Sequence, residues 1–482
     1  MFGPRAVRGH TQTNLNISHL NKKLIHRDII PHQLSLTGSP IIKGPKLFRT
    51  MTTTSKPVMR VLISGAGIAG PTLAWFLAEA GAHVNVVEKA PTILTHGQNI
   101  DIEGSAITTI KKMGLMEEIR RNNTTEIGTQ FIDKHGKPFA PFPVTDGKFS
   151  PTSEREILRA DLARVLYEAS REQPNVKYQF DTTVTKVLSN DENAVKVELS
   201  TGETQEYDLL VAADGQWSKI RKQVFAPESV TVRDMGMTAV YFTVPRQPED
   251  NHWWNVYQSL RSRVITTRPD PYGTIRAMLT KMPRSDKEKQ EWQQAARSDQ
   301  KTQQELIRRE FADAGWLAQR FLESMPTGPD FYFHVIQQIK MSTWSNGRVV
   351  CLGDAACAPT PLTGAGTSLA IVSGYILAGE ISKLSPGEHP ARALDAYEKL
   401  LKPFVEDVQN VPWFVPGIAH AETEFRRILT SMFMRTLSIV VPWLPSWRHD
   451  GVGAALPHYD GLNDNDVDLA DAEKGEFKGF KV

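Results

Sequence analysis

VLISGAGIAGPTLAWFLAEAGAHVNVVEK, residues 61–89, decides the fold. A short apolar and β-branched run, Val58 to Ser64, ends at Gly65, Gly67 and Gly70 in G-x-G-x-x-G register. Pro71 to Ala80 follows with the look of a buried helix closed by Gly81, and Val84 to Glu88 reads as a second strand. This is the opening of a βαβ unit. The first glycine permits a tight turn, the second lets backbone approach a pyrophosphate, and the third lets helix and strand pack closely. The helix N-terminus offers unpaired N–H groups to phosphates, and Glu88 ends the second strand where a carboxylate can accept the hydroxyl protons of an adenosine ribose. The motif alone does not separate one dinucleotide from another.

Outward from this unit, helical patterns stand at Ser105–Lys112 and Arg159–Arg171, and strands at Val176–Tyr178, Val184–Val187, Ala194–Leu199 and Asp208–Ala212. Met235 to Met282 is rich in Val, Thr, Tyr and Trp with period-two character and predicts a mostly antiparallel sheet. Ser285 to Ala314 is charged and helix-forming, its charges reading as a solvated face. Arg348–Leu352 returns as a buried strand and Ser368–Ile381 as a helix rich in small residues. The fold class is α/β: a Rossmann-like nucleotide-binding domain with an inserted antiparallel substrate domain and a C-terminal helical tail. The expected boundaries make a nucleotide-binding domain of 57–125, 156–230 and 341–410, a substrate domain of 126–155 and 231–340, and a C-terminal segment of 411–482.

Two distant blocks narrow the ligand. In YDLLVAADGQWSKIRK, residues 207–222, Asp214 and Gly215 close a strand; in VVCLGDAACAPTPLTGAGTSLA, residues 349–370, Gly353 and Asp354 close another. An aspartate at such a place can accept hydrogen bonds from a sugar-like linker. The loop Pro359 to Gly366 leads into a helix, through Thr367, whose N-terminal N–H groups suit the anionic edge of a reduced flavin. A single mononucleotide fold has no need of these blocks.

With GAGIAG (65–70), GQNIDI (97–102), EREILRADLARVL (154–166), ADG (213–215) and GDAA (353–356) in this order, the chain resembles the class A flavin monooxygenases related to para-hydroxybenzoate hydroxylase, and most closely their tetracycline-modifying branch. The resemblance implies bound FAD, with NADPH or NADH as a transient co-substrate that has no second Rossmann domain. It also implies O2 adding to the reduced flavin at C4a, the resulting hydroperoxide hydroxylating a small aromatic or polyketide-like metabolite. By the same resemblance Glu88 holds the adenosine ribose, Arg159 the FAD linker, Asp101 the isoalloxazine neighbourhood, and Asp354 the ribityl and pyrophosphate region, with Gln98 of the GQNIDI segment a further cofactor-binding residue. Where many relatives carry His after GDAA this chain has Cys357, and where they often have G-Q-G-x-N it reads Gly364-Ala365-Gly366-Thr367-Ser368. For substrate contact the β-rich stretch offers Tyr241, His252 and Arg276, with Trp253 and Trp254 as apolar walls; Tyr241 is the catalytic candidate. Epoxidation and Baeyer–Villiger insertion are the alternative chemistries, and a non-catalytic FAD-fold binding protein the alternative class.

Composition bounds the rest. The 482 residues, 40% hydrophobic and 23% charged, suit a globular chain with room to enclose a cofactor. A formal charge of +2 gives no footprint for nucleic acid. Scattered His83, His96, His135 and His334 lack metal-ligand spacing, and the two cysteines, Cys351 and Cys357, fit a reducing, cytoplasmic setting. Residues 1–56, basic and nearly without acids, read as a disordered extension, with mitochondrial targeting as the alternative. Met432 to Trp447 is apolar but short and interrupted by Arg435, Pro442 and Pro445, so no transmembrane span is expected there; a packed helix or a peripheral membrane contact is.

Overall fold

A computed structural model of the chain describes residues 58–95, 97–145, 152–153, 155–443, 456–460 and 462. The expected N-terminal extension lies outside the described residues, as does the end of the apolar 432–447 stretch.

The glycine-rich opening builds the centre of a six-stranded sheet. Arg60–Ser64 pairs in parallel with His83–Val87 on one side and Leu209–Ala212 on the other. Val176–Gln179 and Val349–Cys351 continue the parallel ladder outward, and Ser345–Asn346 closes one edge antiparallel. Val61, Leu62, Ile63 and Leu209 to Ala212 are fully buried, as the inner strands of a parallel sheet covered on both faces should be. Helix Ala69–Glu79 packs against helix Gly366–Ser382. A methyl group at Gly374 would stand 3.0 Å from the Leu73 amide nitrogen and 3.1 Å from Thr72 Cγ2, so the absent side chain sets how closely these helices approach. Ser105–Lys112 and Arg159–Arg171 form helices with the bounds read from sequence.

The second sheet has seven strands in the order Tyr332–Met341, Val230–Pro245, Thr274–Lys281, Arg263–Pro269, Trp254–Ser259, Gly128–Ile132, Pro138–Pro143. All its pairings are antiparallel except that of Gly128–Ile132 with Trp254–Ser259. The expected stretch Met235–Met282 is its centre. Three further strands at its edges, two before residue 145 and one after 331, are additions to that expectation. Strand alternation gives the sheet two different faces. Val240, Phe242, Ile265, Ala277 and Leu279 lie under helices Asp286–Ala295, Gln300–Phe311 and Ala318–Ser324, whose Trp292, Ile307, Phe311 and Phe321 are buried. The charged stretch thus solvates one side of its helices and builds core with the other. Tyr241, Met278 and His334 occupy the opposite face, together with Ala239 and Ile336.

Toward the C-terminus, helix Ala391–Val408 follows Gly366–Ser382, and helix Glu424–Val440 lies against Pro138–Pro143. Leu456 to Asp460 returns to the first sheet's helices: Tyr459 donates to Glu380 Oε1 at 2.8 Å, and its ring fills the space a side chain at Gly379 would need.

Arg276, a sequence candidate for substrate contact, is instead occupied in the sheet. Its guanidinium lies 3.1 Å from Asp270 and 3.0 Å from Asp330, and Asp330 also accepts from the Thr243 amide at 2.7 Å. Both carboxylates have side chains at 4% exposure or less, so removing the arginine leaves two buried charges without their counter-ion. Arg276→Met should lower unfolding stability by about 3 kcal/mol or more, measured as a fall in the urea midpoint of the FAD-loaded protein.

Candidate active site

Three glycines in the opening turn have three distinct surroundings. Gly65 adopts φ +115°, and a side chain there would overlap the Ala213 carbonyl. One at Gly70 would overlap the Gly65 carbonyl oxygen. At Gly67 nothing lies within 4 Å. Two glycines therefore close the turn, and the third leaves backbone bare to an open space at the start of a helix. Glu88 faces the same turn: Oε2 accepts from the Ala66 amide at 2.8 Å and Oε1 from the Ala90 amide at 3.0 Å.

The later blocks converge on this crevice at the carboxyl ends of the parallel strands. Gly353, φ +58°, would set a side chain 3.1 Å from Ala69 Cβ, placing the Asp354 turn against the first helix. Arg221, buried, donates to the Ala355 carbonyl and, at 2.6 Å, to the Gln216 carbonyl, which ties the Asp214 turn to the Asp354 turn. Asp214 accepts from the Lys219 amide with Oδ2, whereas its buried Oδ1 has no partner among the described residues. Burial raises its carboxyl. The Gln98 carbonyl accepts from the Arg159 amide at 3.0 Å, and Gly97 is pressed against Arg159 Cβ. The Glu103 amide donates to Ser368 Oγ at 3.0 Å, so the segment after Gln98 touches the start of helix Gly366–Ser382. Gly366 and Thr367 open that helix, with the Cβ position of Gly366 3.9 Å from Asp354 Oδ1. The connecting loop is strained, because Thr360, β-branched, holds φ +94° with a buried hydroxyl that has no partner among the described residues.

Beside Arg159 the second sheet supplies a wall. Tyr241 stacks on Tyr332 with centroids 6.4 Å apart, and His334 lies tilted against Tyr332 with centroids 5.4 Å apart. Gln216, next to the Asp214 turn, lies with Nε2 2.8 Å from His334 Nε2. An amide NH2 only donates, so His334 accepts here and carries its proton on Nδ1. Burial, reinforced by the Arg159 charge, brings His334 down to about 4, and burial also raises the Tyr241 hydroxyl well above its ordinary range. Both groups are neutral near pH 7; Tyr241 offers a hydrogen bond and is no base. Met235, Met237 and Met278 form one apolar, adaptable cluster with Tyr241, and Leu362 of the strained loop packs against it. Tyr332, His334 and Gln216 were absent from the sequence candidates. The alternation in YFHVIQQIKM (332–341) carried the signal for the first two.

A family model described as an FAD binding domain matches residues 58–411. The monooxygenase CTB7 of Cercospora beticola is 35% identical over 83% of this chain and 97% of its own. The flavin-dependent monooxygenase eupH of a Phoma species is 36% identical over 76% of this chain and 89% of its own. Among solved structures, tetracycline destructase Tet(55) is similar at TM-score 0.66 and 26% identity, covering 83% of this chain and 99% of that one. The chain belongs to the FAD-dependent monooxygenases. The turn at Gly67, open where a phosphate must approach, and the unspent Asp214 Oδ1 fit the cofactor of that family.

In this monooxygenase the remaining sequence candidates each have defined surroundings. His252 is exposed, 3.2 Å from Thr125 Oγ1. Trp253 packs on Gly128, and Trp254 lies under the Arg268 guanidinium at 4.2 Å. Asp101 accepts from the amide and hydroxyl of Ser153 at 2.8 and 2.6 Å, next to a buried cluster in which Arg268 bridges Glu126, at 2.9 Å, and Glu156. Cys357 donates to the Gly353 carbonyl at 3.5 Å, and burial raises both cysteine thiols far above neutrality, so neither is a nucleophile.

Gly70→Ala should fail to fold or lose FAD together with native circular dichroism. Gly67→Ala, having space, should keep the dichroism and lose FAD alone, read from the ratio of flavin to protein absorbance. In the Arg268 cluster, burial raises Glu126 from 4.5 to about 8 and Asp101 from 3.8 to about 6. A carboxyl raised on folding binds more protons in the native state, so its contribution to stability is present at low pH and is lost as pH rises toward 8. Glu126→Gln should flatten the fall in melting temperature between pH 5 and 8, about the window those shifts span; an unchanged slope would show that other groups set it.

Proposed function

We propose that this monooxygenase hydroxylates an electron-rich aromatic or polyketide-like metabolite, with NADPH or NADH as the electron donor and O2 as the oxygen source. One observation carries the reading: the neutral set Tyr241, Tyr332, His334 and Gln216, methionines around it, beside Arg159 and Asp354. When bound, FAD supplies the redox chemistry, taking electrons from the nicotinamide and activating O2 for transfer of one oxygen atom.

In this reading the chain binds and orients. The Gly65, Gly67 and Gly70 turn and Glu88 take the adenosine and pyrophosphate end. Arg159, Asp214 and Asp354 take the sugar and linker, and burial raises the Asp354 carboxyl while the Arg159 charge opposes that rise. Gln98 and Asp101, at the strand Asn99–Asp101, would help to hold the isoalloxazine end. Gly366 and Thr367 present helix N–H groups to its electron-rich edge. The substrate then lies between ring and sheet, where methionine side chains exclude water and adapt to a flat polycyclic surface. Tyr241, or His334 through its Nδ1–H, hydrogen-bonds a phenol or carbonyl of the substrate and so fixes which carbon faces the ring.

A panel of phenolic and polyketide-like compounds, with NADPH or NADH oxidation followed beside product mass, tests the activity. A product heavier by one oxygen, coupled to coenzyme use, is expected. Coenzyme use that no compound stimulates would point to a non-catalytic flavoprotein. Arg159→Ala and Asp354→Ala should each weaken FAD retention, by roughly tenfold in Kd for one lost charged hydrogen bond. Tyr241→Phe should keep full FAD and lower kcat by about tenfold; full flavin occupancy in both charge variants would remove their assignment.

A further inference from the structure

Helix Glu424–Val440 has two apolar faces and only one is covered. Met434, Leu437 and, just past its end, Val441 pack on Phe131, Phe139 and Phe142. On the other side Phe425, Leu429, Met432, Phe433, Ile439 and Val440 are exposed, Phe425 at 76%. The spacing i, i+4, i+7, i+8, i+14, i+15 makes them one continuous stripe along the helix. None of the helix is buried, and no helix among the described residues is long and apolar enough to cross a membrane.

The surroundings of the stripe indicate its occupant. Trp443 follows the helix at 84% exposure, and Trp413 stands at 85% beside Phe414. The loop bearing Trp413 adjoins the first turn of the helix, since Gly417 lies next to the Arg426 guanidinium. Tryptophans therefore flank the two ends of the stripe. By helical geometry Arg426 and Arg435 border its two long sides. The helix carries three arginines against a single acid, Glu424, which is already paired with Arg427 at its core-facing side and 3.9 Å from Lys134. Pairing of this face with a second copy would set arginine borders against arginine borders, with no free carboxylate on the helix to offset them. An anionic lipid surface meets all three features at once: apolar residues enter the acyl boundary, tryptophans sit at the headgroup level, and arginines extend sideways to phosphates.

We propose that the face Phe425–Val440 is a peripheral docking surface for anionic membranes, lying flat on the lipid without spanning it. It is separate from the FAD crevice and does not depend on which substrate is hydroxylated. A flat docking would hold the enzyme where apolar, polycyclic compounds concentrate.

Sedimentation of the full-length FAD-loaded protein with phosphatidylcholine vesicles, and with the same vesicles containing phosphatidylglycerol, tests the proposal. Binding to the anionic vesicles only, weakening with salt, is expected. Arg426→Gln with Arg435→Gln should weaken it roughly tenfold. Leu429→Glu with Phe433→Glu should abolish it, with flavin content and melting temperature unchanged because both side chains are exposed. Arg435, whose guanidinium lies 4.3 Å from the Phe139 ring, is replaced only in the arginine pair, whose melting temperature is measured beside its binding. No binding by the wild type, or binding that survives the two glutamates, overturns the proposal. So does a stable dimer in light scattering that the glutamates dissolve, since the face would then belong to a second copy.

Discussion

Gly70 has no room for a side chain because its Cα faces the Gly65 carbonyl, and Gly65 in turn is pressed on Ala213. Most of the site hangs from that contact. It fixes helix Ala69–Glu79 directly over the first strand, so the helix N-terminus opens where the central strands end. Ala69 then meets Gly353, and Thr72 with Leu73 meets Gly374. Two further chain segments, more than 280 residues downstream, are thereby docked on the first turn of the same helix, bringing Asp354 and the start of a second helix to the crevice. Steric exclusion at four glycines accomplishes what no single hydrogen bond would, since packed backbone does not deform gradually.

This explains which parts of the molecule were legible in the sequence. Glycines at fixed spacing after a β-branched run have few other uses, and the helices Ser105–Lys112 and Arg159–Arg171 carry amphipathic patterns that match their final bounds. The second sheet was legible only at its centre. Its outer strands Gly128–Ile132 and Pro138–Pro143 include a proline-bounded segment, FAPF, whose pattern is set by pairing with distant residues. Tyr332–Met341 contains QQ and K within its run, because its inner half lies under the cradle where Gln338 donates to the carbonyls of Pro359 and Gln409 at 3.0 Å. Long-range partners, absent from any local window, override propensity there.

The candidate side chains were less legible than the fold for a related reason. Residue type and approximate position nominated Tyr241, His252 and Arg276 together, but strand parity and partners separate them. Arg276 shares the face of Tyr241 yet is held by two aspartates, and His252 precedes the strand and faces solvent. His334 reads as one of several scattered histidines until the sheet sets it opposite Ala239 and beside Gln216. A side chain's availability depends on what neutralises it, and that is a property of the assembled fold.

Charge is distributed accordingly. Buried ionisable groups are gathered away from Tyr241 and His334, in the Arg276 pair and in the Arg268 cluster, where Glu126 and Asp101 are raised by burial. The groups on the wall of the second sheet are neutral near pH 7: His334 is depressed, Tyr241 and Tyr332 are raised, and the nearby thiols stay protonated. Arg159 is the exception, and it sits beside Asp354. The Arg159 cation beside this apolar wall favours negative charge developing near it. On the sheet side that field is set by Tyr241, Tyr332 and His334, which stay neutral near pH 7.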